Sequence, residues 1–543
     1  MKTASAILVA LLFASQTILY AQGPRSQTFF NPNNISTFFV TSGIFNINDT
    51  LVNTPGFQWP AGSNKYAIFS SGLNITAYVN GSLRMAAASF HGEYTPGYIL
   101  NYVPAWNSDF KIYKVTRGDG PSNPDWANWY KMIPYGAPYF DVNNNGTFEQ
   151  GIDTPGVHKA KQTIFLCMTD GFTSTHTQSE GFSGGTAPLN AEVHMTAWGY
   201  NNSMYSDLQF IKYDIINKGS YNWDSTYMGI FCDPDLGNAL DDYIGCDTSR
   251  QLAYTYNKTN MDGSGNPPSY GANPPAVGII LLKGCRNEFV NPPVNLRMTT
   301  FHQLFCWGCS APVCELMPIY PFESHRMLKG YKRDGSNFMN PLTVPPTPTK
   351  FTYTGDPETA TGWTEAKGSV LNCGGDTGTV INVNPSADPR FLIGSGADNF
   401  KILPGDTQKI VICQLIARGN SNLNSVTKLK QLSDVAWNLY NSGFVIKISS
   451  LTTEVPGIYS LSQNYPNPFN PVTKIKFSVP RNNIVCIKVF NMLGKEVAAI
   501  INDRLQPGIY EAEFDGSTLP SGVYFYRLTS GDFSETKKMV LLK

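Results

Sequence analysis

The stretch that decides the fold class is LNITAYVNGSLRMAAASF, residues 73–90. Apolar and more polar residues alternate on both sides of Asn80-Gly81, which is the period of a strand with one buried face. Asn-Gly supplies the two positive-φ positions of a type I′ turn, so the stretch predicts a β-hairpin. The alternating apolar residues are Ile75, Ala77, Val79, Leu83, Met85 and Ala87.

The same patterns recur along the chain. Apolar and polar residues alternate in LQFIKYDIINKGSYNWDSTYMGIF, residues 208–231, and the segment NKGS within it predicts a second turn. Residues 400–419 predict a turn followed by an apolar strand that is covered on both faces. One helix is predicted in SVTKLKQLSDVAWNLYNSG, with Ser425 or Asn424 as its N-cap and Gly443 at its end. With 48 Gly and 37 Pro, the composition favours a mainly β fold rich in β-sandwich structure.

Length and charge limit the function classes. A chain of 543 residues exceeds a single core, so several folded units are expected. Forty basic residues balance forty acidic ones, which leaves no field of one sign to hold a polyanion. Nucleic acid is therefore excluded as an expected partner.

The N-terminus has the features of a secretory signal peptide. MKTASAILVALLFASQTILYA, residues 1–21, places the basic Lys2 before an apolar run and ends on the small residue Ala21. The run is short for a membrane span and no charged stop-transfer cluster follows it. The mature chain is expected to be exported.

The last 83 residues are expected to form a separate domain. TKIKFSV, NIVCIKVFN, GIYEAEFD, GVYFYRL and ETKKMVLL read as short strands separated by turn residues, which predicts a small β-sandwich at 461–543. Residues 446–460 are polar and punctuated by Pro and Gly, so they predict a linker. The passenger would then occupy 22–445, with room for two subdomains.

The tail resembles a known family. NYPNPFNPVTKIKFSVP, IKVFNMLGKEV, GIYEAEFDGSTLPSGVYFYRL and KKMVLLK together are similar to the C-terminal type A sorting domain of the type IX (Por) secretion system. The resemblance implies an immunoglobulin-like sandwich that engages the type IX machinery and directs the passenger through the outer membrane. It also implies cleavage with release, or anchoring to surface polysaccharide. The proline-rich collar NYPNPFNP would separate this sorting signal from its passenger.

The passenger resembles large, mostly uncharacterised surface proteins that carry this tail. Motifs such as GAPYFDVNNNGTFEQGIDTPG and ILPGDTQKIVICQLIARGNSNLNSVTKLK carry that resemblance. It supports a location outside the cell or on the cell surface and implies no chemistry.

DVNNNGTFEQGID has the ligand order of a calcium loop. Oxygen donors fall at alternate positions, a glycine stands sixth and a carbonyl seventh. The twelfth position is Ile152, with Asp153 one place later, and the flank is not helical, so a helix-free loop is predicted rather than an EF-hand. A solvated Asx-turn is the alternative. The candidate ligands are Asp141, Asn143, Asn145, the Thr147 carbonyl and Glu149.

A second acidic segment, CDPDLGNALDDYIGCD, offers carboxylates without histidine, which favours calcium over zinc. An exposed acidic loop is the alternative reading. Cys232 and Cys246 bracket the segment and predict a disulfide. Its carboxylates are Asp233, Asp235, Asp241, Asp242 and Asp247.

HQLFCWGCSAPVC contains a Cys-x-x-Cys pair that can bind zinc or form disulfides. Export into an oxidising periplasm favours disulfides. Two bridges among Cys285, Cys306, Cys309 and Cys314 are one arrangement, and the connectivity stays open.

GFSGG, residues 181–185, fits G-x-S-x-G with Ser183 as a nucleophile and His302 or His325 as its base. Its flanks predict neither the strand nor the helix of a nucleophile elbow. The sequence therefore favours a non-catalytic surface protein that serves adhesion, glycan or matrix binding, or surface structure. A secreted hydrolase using Ser183 is the alternative.

Overall fold

A computed structural model of the chain describes residues 22–50, 54–177, 181–263, 269–375, 381–382, 388–444, 448–452, 456–505, 507–517 and 519–543. The signal peptide predicted at 1–21 lies outside these residues. Strands supply most of the regular structure, which confirms the mainly β fold class. No described helix has the length and apolar composition needed to cross a membrane.

The first large sheet of the passenger has eight antiparallel strands. Its predicted hairpin is confirmed, with Asn80 and Gly81 at φ 49° and 76°. Along the sheet the strands are Gln27–Phe30, Thr37–Val40, Ile44–Phe45, Ser70–Val79, Trp223–Asp233, Pro389–Gly396 and Thr300–Phe305, with Ser82–Ala86 paired to Ser70–Val79.

The second large sheet has nine antiparallel strands. Thr407–Ala417, the strand expected to be covered on both faces, lies in its interior. Along the sheet the strands are Tyr113–Thr116, Gln162–Thr169, Ala191–Gly199, Leu208–Asn217, Thr407–Ala417, Ala276–Lys283, Leu252–Asn257 and Asp242–Asp247, with Thr95–Pro96 paired to Gln162–Thr169.

One core joins the two sheets into a sandwich. Leu73 and Ile230 of the first sheet and Ile164 and Ile412 of the second belong to the same buried cluster. A helix, Pro321–Leu328, covers the outer face of the first sheet. The two large sheets of the passenger therefore share one core.

The predicted helix runs over Asn422–Asn441 and packs on the outer face of the second sheet. Ser421 is its N-cap, because the Ser421 hydroxyl accepts a hydrogen bond from the Asn424 amide at 3.0 Å. The expected cap at Ser425 or Asn424 was therefore wrong by a few residues. Gly443 follows the helix at φ 67°, as predicted.

The second predicted turn does not make a hairpin. Leu208–Asn217 pairs with Ala191–Gly199 in the second sheet, whereas Trp223–Asp233 pairs with Ser70–Val79 in the first. The NKGS segment instead carries the chain across the core from one sheet to the other.

The remaining passenger elements are short. Two-stranded pairs are Phe57–Gln58 with Tyr66–Ile68, Tyr98–Leu100 with Val103–Ala105, Tyr139–Phe140 with Thr154–Pro155, Arg286–Asn287 with Val294–Asn295, Phe338–Asn340 with Thr347–Thr349, and Ser369–Val370 with Ile381–Asn382. The short helices are Pro124–Ala127, Trp129–Tyr135, Thr173–Thr175, Ala239–Asp241, Val313–Glu315, Glu365–Lys367 and Cys373–Gly375.

The tail forms a second sandwich with its own core. Ile448–Thr452 pairs with Gly508–Asp515 in this domain, so a strand lies inside the predicted linker. The immunoglobulin-like topology stays a prediction. One four-stranded sheet runs Ile448–Thr452, Gly508–Asp515, Val472–Val479 and Ser460–Leu461; the other runs Glu496–Leu505, Asn483–Asn491, Gly522–Ser530 and Phe533–Leu541.

The proline collar belongs to the tail rather than separating it from the passenger. Phe469 is buried in the tail core, and its amide donates to the Val540 carbonyl at 2.9 Å. The buried Asn464 bonds Pro466 O and Thr473 Oγ1. The collar is therefore part of the tail fold.

Candidate functional site

Three exposed aromatic side chains and two half-buried arginines form one connected surface beside Thr300–Phe305, an edge strand of the first sheet. Large apolar side chains are normally buried, yet Trp307 is 45% exposed, Tyr320 52% and Phe322 46%. Two guanidinium groups lie against these rings. We name this set the aromatic–arginine surface: Trp307, Tyr320, Phe322, Arg326 and Arg333.

The contacts between these side chains are continuous. The Arg333 guanidinium lies 4.8 Å from the centre of the Trp307 ring, and the Arg326 guanidinium lies 5.0 Å from that of Phe322. The Tyr320 and Phe322 rings are nearly parallel, at 6° with centroids 5.6 Å apart. Arg326 Nη1 donates to the Arg333 carbonyl at 3.3 Å, which links the two halves.

The helix Pro321–Leu328 positions this surface. The Glu323 carboxylate accepts the amides of Ile319 and Tyr320 at 2.7 and 3.1 Å, which fixes the first turn. Met327 and Leu328 are buried against the first sheet. Helical periodicity then leaves Phe322 and Arg326 outside this buried face.

The surface offers two kinds of contact. Ring faces can pack against apolar groups of a ligand, and guanidinium groups can hydrogen bond hydroxyls and pair with carboxylates. The Glu323 carboxylate also lies 3.6 Å from Arg333 Nε, which keeps that guanidinium in place. Sequence reasoning noted the aromatic density but did not find these residues, because nothing local to them shows which rings stay exposed.

The predicted calcium ligands do come together. Glu149 Oε2 accepts the side-chain amides of Asn143 and Asn145, both at 2.6 Å. Asp141 Oδ2 accepts the Gly146 amide at 2.7 Å, and Gly146 has φ 79°. The side chains of Asn143, Asn145 and Glu149 therefore contact one another, and Asp141 holds the backbone at Gly146.

Thr147 and Asp153 complete the loop. The Thr147 amide and hydroxyl bond Asn145 Oδ1. Asp153 is buried, and its two carboxylate oxygens accept the amides of Val142 and Glu149 at 2.9 and 2.7 Å. The thirteenth position thus closes the loop, whereas Ile152 at the twelfth points outward and is 52% exposed.

Ser183 lies in the core. Its hydroxyl is 2.6 Å from Ser324 Oγ and 3.2 Å from Met85 Sδ, although its φ of 60° is unusual. His302 bonds two backbone carbonyls, and His325 Nδ1 bonds Thr76 Oγ1 at 2.9 Å. The structure does not bring either candidate base to the Ser183 hydroxyl.

The carboxylates of the second acidic segment are dispersed. Asp233 and Asp235 lie near Asp388, where Arg390 pairs with Asp233 at 3.0 Å and Asp388 at 2.9 Å. Burial raises the pKa of Asp233 to about 7, although Arg390 opposes the shift. The Arg390 guanidinium therefore already compensates the negative charge of Asp233 and Asp388.

The other three carboxylates of that segment have separate partners. Asp241 accepts the Asn257 side-chain amide, Asp242 accepts the Leu236 amide, and Asp247 pairs with Arg250 at 3.0 Å. The segment therefore does not gather its five carboxylates into one site.

The cysteine pairing agrees with the sequence-based expectations only in part. Cys232 and Cys246 are free and buried, so the bridge predicted between them was wrong. Cys306 pairs with Cys309, as one arrangement allowed.

Cys314 takes a partner that sequence reasoning missed. It pairs with Cys373, 59 residues away, and Cys285 stays free and buried. With three of its cysteines in disulfides, HQLFCWGCSAPVC does not present the thiolates that the zinc alternative required.

The comparisons identify the tail. Residues 463–542 match the family described as the secretion system C-terminal sorting domain. This match confirms the predicted type IX sorting domain. The protein is secreted or displayed at the cell surface, and its tail interacts with the type IX machinery.

The comparisons are silent on the passenger. No curated protein matches the chain. A solved polysaccharide lyase has 7% identity and a TM-score of 0.22, covering 96% of this chain and 47% of its own. An Escherichia coli alpha-2-macroglobulin has 8% identity and a TM-score of 0.11, covering 95% and 53%. The chain spans about half the length of these structures, and neither likeness carries an argument.

Proposed function

We propose that the passenger, residues 22–445, is a non-catalytic binder of extracellular polysaccharide. The observation that carries this proposal is the connected aromatic–arginine surface, whose three rings are exposed. Exposed rings of this kind mark interaction sites. Export by the type IX route brings the surface into contact with extracellular glycans.

Acidic chains fit the surface best. Two guanidinium groups, Arg326 and Arg333, lie among the rings against a single carboxylate, Glu323. Uronic acid units present both an apolar ring face and a carboxylate, so one repeating unit can use both kinds of contact. The buried position of Ser183 supports binding without hydrolysis.

Calcium is the cofactor that we propose for the loop at Asp141–Glu149. Asn143 and Asn145 now turn their amide N–H groups toward Glu149, and rotation of each amide would bring its carbonyl oxygen to the same place. Asp141 and Glu149 supply the charge, and hard oxygen donors suit calcium. The two-stranded pair at the base of the loop holds its ends together.

Affinity electrophoresis of the secreted protein tests the glycan proposal. Alginate, a polyuronate, should retard the protein more than dextran, a neutral glucan, and high salt should weaken the effect by screening. Trp307→Ala and Phe322→Ala should each remove most of the retardation. Tyr221→Ala, which truncates a 53% exposed ring outside the surface, is the matched control and should keep it.

Two results would contradict the proposal. One is migration in alginate that equals migration in a gel without polysaccharide. The other is an equal loss of retardation in Tyr221→Ala and Phe322→Ala, because that result would show that glycan binding does not depend on the aromatic–arginine surface.

A further inference from the structure

We propose that the Cys306–Cys309 disulfide is a thiol–disulfide exchange site, reduced in the folded protein by an extracellular dithiol. The exchange chemistry does not rest on glycan binding. Among the described residues there are two disulfides, and they differ in three respects. These differences suit Cys314–Cys373 to stabilising the fold and Cys306–Cys309 to exchange.

The first difference is the size of the ring that each bridge closes. Cys306 and Cys309 are three positions apart, whereas Cys314 and Cys373 are 59 apart. A disulfide restricts the unfolded chain more as its loop grows, so the short ring contributes less to folding. Loss of the short bridge is therefore the smaller perturbation of the two.

The second difference is access. Both cysteines of the short bridge are partly exposed in a turn, whereas in the longer bridge Cys373 is partly exposed and Cys314 is buried. Each bridge has one carboxylate near its sulfurs, Asp388 for the short bridge and Asp334 for the longer one, so burial of Cys314 is what separates them. Exposed disulfides are the ones that dithiols attack.

The third observation is that the turn has support without the bridge. The Cys309 amide donates to the Cys306 carbonyl at 3.2 Å, and Gly308 takes φ 88°. Beyond the turn, the Met317 amide donates to Phe305 O at 2.8 Å and fixes the end of the strand. Reduction can therefore proceed in the folded protein.

The exchange is balanced in electrons and protons. A thiolate of the dithiol attacks Cys309 Sγ, the Cys306–Cys309 bond breaks, and Cys306 leaves as a thiolate that takes a proton from water. We assign Cys309 as the attacked sulfur because Cys306 packs against a buried cluster of the first sheet. The second thiol of the reductant then displaces Cys309, so the dithiol is oxidised and the protein gains two thiols.

The site has a structural consequence for the aromatic–arginine surface. Trp307 is one of the two residues inside the ring, and its indole packs on Arg333. Opening the bridge frees the Trp307 backbone to move away from that guanidinium. This consequence, unlike the exchange itself, rests on the proposed glycan binding.

Graded dithiothreitol tests the exchange in the full mature chain. After blocking with N-ethylmaleimide, peptide mass spectrometry should find Cys306 and Cys309 half-modified at a concentration about tenfold below that for Cys314 and Cys373. The circular dichroism spectra of samples in which only Cys306–Cys309 is reduced should equal the spectrum of the untreated folded protein. Equal concentrations for the two bridges, or earlier opening of Cys314–Cys373, would overturn the proposal.

Single variants test the assigned sulfur. Cys306→Ser leaves Cys309 free, and this thiol should form a mixed disulfide with oxidised glutathione about tenfold faster than Cys306 does in Cys309→Ser. The reverse order of rates would overturn the assignment of Cys309.

Alginate retention keeps the two proposals distinguishable. Selective reduction should lower the retention of a protein that is retained when oxidised. If the oxidised protein is not retained by alginate, glycan binding is contradicted and the exchange site is not. If both disulfides open at the same dithiothreitol concentration, the exchange site is contradicted and glycan binding is not.

Discussion

Asp141 and Asp153 have different roles in the loop at 141–153. Asp141 accepts the Gly146 amide within the loop, whereas Asp153 is buried and closes the base through two backbone amides. The sequence predicted the first role from ligand spacing. It did not assign the second, because the thirteenth position is outside the usual loop pattern.

Calcium should stabilise the passenger through this loop. With two carboxylates among four side-chain donors, we expect a dissociation constant of ~10⁻⁴–10⁻³ M, as in extracellular modules. Calcium at about a hundred times that constant adds roughly 2.7 kcal/mol to the folded state. Scanning calorimetry should show a higher Tm, and Asp141→Ala should remove most of the calcium-induced shift.

Asp334→Ala is the control for this experiment, because Asp334 also forms an Asx-type turn, with Ser336, but lies in another loop. It should retain the full shift. Superimposable melting curves of the parent protein in chelator and in about 10–100 mM calcium, a hundred times the expected dissociation constant, would contradict the metal assignment.

Glu365 makes stability depend on pH. Burial raises its pKa to about 8, with Glu315 adding to the shift while the Ile244 amide and Lys258 oppose it. Between pH 4.5 and 8 the folded state keeps a proton that the unfolded state has released, so stability falls as pH rises through this window.

Glu365→Gln should therefore flatten the pH dependence. We expect the parent protein to lose on the order of 3 kcal/mol more than Glu365→Gln between pH 5 and 7.5. Urea unfolding at a series of pH values measures this difference. Glu288→Gln, at an exposed position, is the control; parallel curves for the parent and Glu365→Gln would refute the explanation.

At the scale of elements, local chemistry decided what was predictable. The hairpin at 73–90 was found because Asn-Gly fixes both turn and register, and the helix because its apolar residues recur at three and four positions. The cap was misplaced because SNLNS offers several polar candidates, and only the structure shows that Ser421 accepts the bond.

Long-range pairing was not predictable from the sequence. Leu208–Asn217 and Trp223–Asp233 are consecutive and lie in different sheets, since the strand period says which face is buried but not which neighbour pairs. Cys373 meets Cys314 for the same reason, through a contact between distant segments. The aromatic–arginine surface likewise depends on exposure, which the tertiary structure determines.

The helix Asn422–Asn441 should be an integral part of the passenger core. Leu429 is fully buried against the second sheet, so Leu429→Ala should lower the free energy of unfolding by about 3 kcal/mol. Gln431→Ala, on the exposed face, should change it by less than about 0.5 kcal/mol. Denaturant unfolding of the passenger measures both, and equal effects would show that the helix does not pack as described.

At the scale of the whole molecule, the buried cluster of the tail is separate from those of the passenger among the described residues. The passenger sandwich and the tail sandwich share no buried residue, and Met204 packs at the edge of the tail core. Lys159 Nζ lies 3.3 Å from Glu513 Oε1 across the two parts. Such limited contact is typical of domains that fold independently.

Export of a truncated chain tests this two-part organisation most directly. Because Ile448–Thr452 belongs to the tail sheet, the chain should end at residue 445. Cell fractionation should find the full chain outside the cell and the truncated chain in the periplasm, folded and with the passenger Tm of the parent. Lys159→Ala should be exported like the parent. A truncated chain that still reaches the cell surface or the medium would contradict the role of the tail.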